Sequence, residues 1–152
     1  MSENNVDKPF WITEAEFESH GGSLSEIDWA SRVVKSFVKA FSFGAEKIFY
    51  VGLENSPGDE QTWLINKENK QVMYFAFQTM IEQIDLFESV ETVAADQYKF
   101  TVDDSIVYVM WGSGELPSEV IGTVEVTDIR GNTVSMDATE VVLTDDPLFI
   151  RI

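Results

Sequence analysis

The hydrophobic pattern divides the chain into a first part with helical periodicity and a second part with strand alternation. Phe10, Trp11 and Ile12 form a short aromatic and β-branched run that Thr13 extends, and it stops at Glu14 and Glu16. Such a run reads as a buried strand whose end delivers carboxylates to an open rim. Ser23, Leu24, Ser25 and Glu26 have the spacing of a capping box, in which a hydroxyl and a carboxylate satisfy the free amides of a helix start. Ile27, Ala30, Val33, Val34, Phe37, Val38 and Phe41 follow at helical intervals, with Arg32, Lys35 and Lys39 on other faces and Gly44 placed as a C-cap. Ile48, Phe49, Tyr50 and Val51 read as a second short buried strand. Strand, helix and strand with brief connections predict a βαβ unit with parallel strands and a right-handed crossover. After a polar loop over 54–70, Met73, Ala76, Phe77, Met80, Ile81, Ile84 and Phe87 mark a second helical stripe, read as core packing.

Beyond Val90 the period changes. Tyr98, Phe100 and Val102 alternate with polar residues, Asp103-Asp104 predicts a hairpin turn, and Ile106 to Trp111 predicts the returning strand. Val120, Gly122, Val124 and Val126 alternate again, Arg130-Gly131-Asn132 turns the chain, and Val134 and Met136 return antiparallel. Val141-Val142-Leu143 and Leu148-Phe149-Ile150 complete the set. The expected fold class is α/β plus all-β: a partial (β/α) barrel segment of order βαβα over 1–90, then a small antiparallel β-sandwich over 91–152.

The stretch Lys8-Pro9-Phe10-Trp11-Ile12-Thr13-Glu14 resembles the seventh-strand motif of the retaining glycosidases built on the (β/α)8 barrel, in which a Thr-Glu pair closes the strand. The order of elements behind it is similar too: a helix, an eighth strand, a last helix and a small C-terminal β domain. The resemblance implies that Glu14 is the catalytic nucleophile. It covers only the last quarter of a barrel, and a complete one needs roughly 250 residues. The 152 residues here imply either a fragment or a companion chain that supplies the missing strands.

Composition narrows the partners. With 27 Asp and Glu against 10 Lys and Arg, the net charge is −17, and both halves of the chain are acidic. Such a surface repels phosphate backbones and anionic lipid, which argues against nucleic-acid and membrane partners; a carbohydrate ligand is what the resemblance implies. Acidity also fits a plain solubility role. Cysteine is absent, which excludes thiolate metal sites and disulfides. No apolar signal core or membrane-length run is present, so the chain as given reads as cytoplasmic, and as secreted if it is the tail of a longer precursor.

A retaining glycosidase needs two carboxyl groups about 5 to 5.5 Å apart. In the resembling family the second follows an Asn, and no Asn-Glu dipeptide occurs in this sequence. The chain alone is therefore expected to be inactive. Glu54, at the end of the second strand, is the substitute acid/base candidate, since neighbouring strands run about 4.8 Å apart. Glu16 either binds a substrate hydroxyl or is a solvated rim residue; His20, the lone histidine, is either a ligand contact or a loop residue; Trp63 either stacks on a sugar or packs internally. No cofactor or metal site is expected, because Asp103-Asp104 and Asp145-Asp146 lack further ligands at calcium-loop spacing. The alternative reading is a non-catalytic carbohydrate-binding or assembly module. Two parallel strands with an exposed edge are unstable alone, so it would form a homo-oligomer or complete a barrel with a partner chain.

Overall fold

The computed structural model of the protein describes residues 8–15, 24–53, 64–66 and 68–152. Strands β1 (Phe10–Ala15) and β2 (Ala45–Tyr50) pair in parallel, with Trp11 beside Lys47 and Ile12 beside Ile48. Between them runs helix α1 (Glu26–Ser42), so the predicted βαβ unit is present. The helix starts at a capping box formed by Ser25 and Asp28. The Asp28 amide donates to Ser25 Oγ at 3.3 Å, and the Ser25 amide donates to Asp28 Oδ2 at 3.2 Å. The box thus lies two residues later than the Ser23/Glu26 spacing predicts, because the short Asp28 side chain at the third helical position reaches back to the cap. At the other end Gly44 takes φ +93°, the left-handed conformation that lets the chain leave a helix without a Cβ clash.

The apolar stripe of α1 is the inner surface of the molecule: Ala30, Val33, Val34, Phe37 and Val38 are all buried. Ala15, Ile48 and Tyr50 of the parallel pair pack against it. Among the described residues no helix lies over the opposite face of that pair. Phe10, Trp11 and Phe49 are 40%, 46% and 50% exposed, which corrects the expectation of buried strands. Each strand has two faces, and α1 covers the one that carries Ile48 and Tyr50, which leaves Trp11 and Phe49 on the other; Phe10 is the first residue of β1.

A short hairpin of β3 (Ile65–Asn66) and β4 (Asn69–Lys70) leads into α2 (Val72–Ile84). Met73, Ala76, Met80 and Ile84 are buried as the stripe predicts, whereas Ile81 is 54% exposed. Ile81 lies on a side of α2 that is left open among the described residues. The helix stops before Phe87 because Asp85 is extended and Leu86 takes φ +56°. That reversal returns Phe87 to the core, where its ring lies 5.2 Å from both Phe41 and Phe100.

The C-terminal part forms one continuous antiparallel sheet from six strands: β5 (Ser89–Ala94), β6 (Gln97–Val102), β7 (Ser105–Met110), β8 (Thr123–Asp128), β9 (Thr133–Asp137) and β10 (Leu148–Arg151). Their spatial order is β5-β6-β7-β10-β8-β9. The antiparallel expectation holds, but the strands make one hydrogen-bonded sheet with two filled faces rather than two separate sheets. The last strand is inserted at the centre, where Phe149 pairs with Val109 on one side and Thr127 on the other. Turns fall where the sequence places them: Asp103 takes φ +51° in the β6–β7 hairpin, and Gly131 takes φ +85° between β8 and β9. Val141-Val142-Leu143 is not a strand. Asp137 accepts hydrogen bonds from the Thr139 amide (2.9 Å) and hydroxyl (2.6 Å), which starts a 3-10 turn over Ala138–Glu140 and carries the chain out of the sheet.

Strand alternation sorts the sheet's side chains. Phe100, Val107, Val109 and Phe149 face α1 and α2 and join them in one core that crosses residue 90. Tyr108, Met110, Val124, Val126 and Ile150 face the other way, under Val120, Leu116, Ala138 and Leu143 from the connecting segments. The outer side of α1 is tied to the sheet as well. Trp111 stacks on Tyr98 with ring centroids 5.3 Å apart, Lys39 lies 5.4 Å over the Trp111 ring, and its ammonium reaches Asp96 at 3.0 Å.

On the far face a polar cluster fastens the 112–122 connection. The Tyr108 hydroxyl donates to Glu119, and Lys99 Nζ lies 2.7 Å from the same carboxylate. These contacts hold the Glu119 carboxyl below its ordinary value, mainly through the Lys99 hydrogen bond, and burial pushes the Tyr108 phenol up to about 12. Among the described residues no helix is long and apolar enough to cross a membrane.

Two outcomes follow from this packing. Phe100→Ala removes a fully buried ring that contacts helix-side and sheet-side neighbours, and should cost about 3–5 kcal/mol in urea unfolding. Glu119, Asp28 and Asp137 all have lowered carboxyl pKa values through local hydrogen bonds. A lowered folded-state pKa adds stability above the unfolded value and loses it as pH falls through the folded one. The melting temperature should therefore drop on acidification from about pH 5, and Glu119→Gln should make that drop shallower. An identical acid slope in the variant would remove Glu119 from the account.

Candidate functional site

The candidate site is the carboxyl end of the parallel pair, the position at which open and closed α/β sheets expose their chemistry. Glu14 is the penultimate residue of β1 and is exposed. Its neighbour Ala15 packs against the core, and the register of β1 is irregular between Ile12 and Ala15. The helix-free face of the pair carries Trp11, Lys47, Phe49 and Val51. The Trp11 and Phe49 rings lie 6.5 Å apart in a tilted arrangement, and the Lys47 ammonium sits 4.7 Å over the Trp11 ring. The result is an acidic group at one end of an exposed aromatic strip.

The rim beside Glu14 is built from the end of β2. The Val51 amide donates to the Ala15 carbonyl at 3.0 Å, which holds the two strand ends side by side. Gly52 then takes φ +127°, a conformation that disfavours any side chain, and the chain turns away from the pair. The stems of the following loop are clamped together: the Leu64 amide donates to Gly52 O at 3.3 Å, and Ile65 to Leu53 O at 3.0 Å. The intervening loop over 54–63 thus leaves and re-enters beside β2. Glu54 and Trp63 belong to it, and Glu16 and His20 to the segment after β1. All four lie outside the described residues, so among the sequence-predicted site residues only Glu14 has a described position.

The other acidic candidates have structural partners. Asp146 accepts a hydrogen bond from Ser31 on α1, which fixes the segment before β10 against the helix. Asp103 and Asp104 form the hairpin turn between β6 and β7. Among the described residues no group of three or more His, Asp or Glu side chains converges as a metal site.

A second concavity escapes sequence reasoning. An open cleft of about 740 Å³ lies between the two helices and the start of β2, lined by Phe37, Phe41, Ile48, Phe77, Met80, Ile81 and Ile84, with Glu46, Lys47, Asp85 and Glu88 among its other lining residues. The helical stripes predict those apolar residues but not that a space remains between them.

No family model matches the chain, and no curated protein matches it. A similar solved structure is an alpha-amylase from Anoxybacillus, described as giving insights into a new glycosyl hydrolase subclass. The likeness has a TM-score of 0.41 at 12% identity and covers 80% of this chain. The chain spans 32% of the length of that amylase chain. A likeness of this size transfers neither fold nor activity.

Glu14 makes no hydrogen bond to a fold element among the described residues and is exposed. Glu14→Gln should leave stability within about 0.5 kcal/mol of the parent in urea unfolding. A larger loss would reveal a packing role that competes with the functional one.

Proposed function

We propose that the chain is the C-terminal part of a glycoside-hydrolase-like protein acting on carbohydrate, with Glu14 in the nucleophile position and the other barrel strands supplied by a companion. The observation that carries this reading is the placement of Glu14: exposed, near the carboxyl end of a parallel strand whose uncovered face carries Trp11 and Phe49. In a (β/α) barrel that face points inward and its carboxyl end is the catalytic rim. The exposed Trp11, Phe49 and Val51 then become interior layer residues that other strands would cover.

In the retaining reaction the Glu14 carboxylate would attack the anomeric carbon while a second carboxylic acid protonates the departing oxygen. Water activated by that second group would then release the sugar from Glu14. The sequence has no Asn-Glu dipeptide to supply the partner in the resembling family's manner, so the acid/base would come from the companion, or from Glu54 on the adjacent loop. Glu16, His20 and Trp63 would contribute to substrate binding from the two rim segments. Alone, the chain should turn over no glycoside.

The missing acid/base also favours a second reading, in which the chain is a non-catalytic carbohydrate-binding or assembly module that self-associates through the same uncovered face. The two readings separate cleanly. In a reconstituted assembly that hydrolyses an aryl glycoside, Glu14→Gln should abolish turnover, and retained turnover would remove Glu14 from the nucleophile role. If the module reading holds, light scattering should show a dimer that Val51→Lys converts to monomer, and an unchanged mass would count against self-association through β2.

A further inference from the structure

We propose that the cleft between β2 and α2 is the docking site for a parallel β-strand of a companion polypeptide, apolar at alternate positions and flanked by Lys or Arg. The inference deepens the barrel reading by naming which edge is completed, by what strand and in which direction. Topology marks the place. A strand followed by a helix ordinarily returns by a right-handed crossover to the edge of its own sheet, and β1, α1 and β2 form such a strand-helix-strand unit with parallel strands. After β2 the next helix, α2, packs beside α1, with the Phe37 and Phe77 rings 5.1 Å apart. The chain then departs into the separate antiparallel sheet instead of forming a third parallel strand.

Among the described residues β2 pairs with β1 alone, and the position next to it is the apolar cleft of about 740 Å³. Phe77, Met80 and Ile84 of α2 supply the helix-side wall that a third strand would pack against. Most of the lining residues are apolar, which fits a strand that brings its own backbone hydrogen bonds better than a small polar ligand. Charge decides between occupants. Glu46, Asp85 and Glu88 outnumber Lys47 among the lining residues, and the whole chain carries −17, so a second copy would bring like charge to an acidic cleft. A basic-flanked strand from a different polypeptide is complementary.

The test uses the isotope-labelled chain and a synthetic peptide, Lys-Val-Thr-Val-Thr-Ile-Lys, read by amide chemical shifts. Shifts are expected over Glu46–Phe49 and Ile81–Glu88. A spin label on the peptide N-terminus should broaden Glu46 before Gly52, as a parallel strand requires. Ile81→Glu should weaken binding by about tenfold or more. Phe75→Glu, also on α2 but away from the cleft, should leave it unchanged. Equal binding of an Asp-flanked peptide, reversed label polarity, or indifference to Ile81→Glu would each overturn the proposal. So would a concentration-dependent dimer whose formation protects the same amides. Peptide docking is independent of Glu14. A chain that docks the strand but stays inactive after reconstitution keeps this site and loses the hydrolase reading; an active assembly whose chain ignores the peptide does the reverse.

Discussion

A continuous line of aromatic contacts holds the two halves of the molecule together. It runs from Tyr50 on β2 to Phe77 on α2 at 4.9 Å, from Phe77 to Phe37 on α1 at 5.1 Å, along α1 to Phe41, and through Phe87 to Phe100 on β6. Each ring buries a large apolar area and meets the next edge-on or tilted, the arrangement that aromatic quadrupoles favour. The parallel pair is too small to stand by itself, since two strands with a single covered face bury little. It depends on α1, and α1 depends on the antiparallel sheet beneath it.

That dependence explains the division of labour in the fold. The six-stranded sheet is filled on both faces, with its last strand at the centre, so it forms a platform. The two helices lie on that platform and present β1 and β2 outward with one face bare. The bare face and the cleft beside β2 are two aspects of one omission: a parallel sheet ordinarily has both faces covered, and here only one is. Glu14 is exposed near the carboxyl end of that pair, and in the proposed reading its role depends on the strands that complete the sheet.

The sequence was most legible where one physical period dominates. The α1 stripe from Ala30 to Val38 is buried as its spacing requires, and the hairpin turns at Asp103 and Gly131 fall where charged or glycine residues accept positive φ. It was least legible where burial depends on an element that the local pattern does not contain. Phe10, Trp11 and Phe49 look like core residues by type, and Ile81 by period, yet all four are substantially exposed. Val141, Val142 and Leu143 have strand propensity, but the Asp137–Thr139 turn removes them from the ladder, and only Val141 and Leu143 reach the apolar layer from the connection. The site was partly legible: the end of the apolar run located Glu14 at a strand terminus, while the cleft has no local signature at all.

Sequence by itself therefore determined the order and type of the main elements, the parallel pairing around α1, the antiparallel character of the C-terminal strands and the acidic surface. Those follow from short-range periods, caps and turns, and from charge, which are written into consecutive residues. Only the tertiary structure decided that the six strands make one sheet with β10 at its centre, that Phe87 is turned back into the core by Leu86, and that one face of β1 and β2 stays bare. These depend on which surfaces meet. Burial is a property of pairs of elements, and a side chain's own pattern specifies that it can be covered without specifying what covers it.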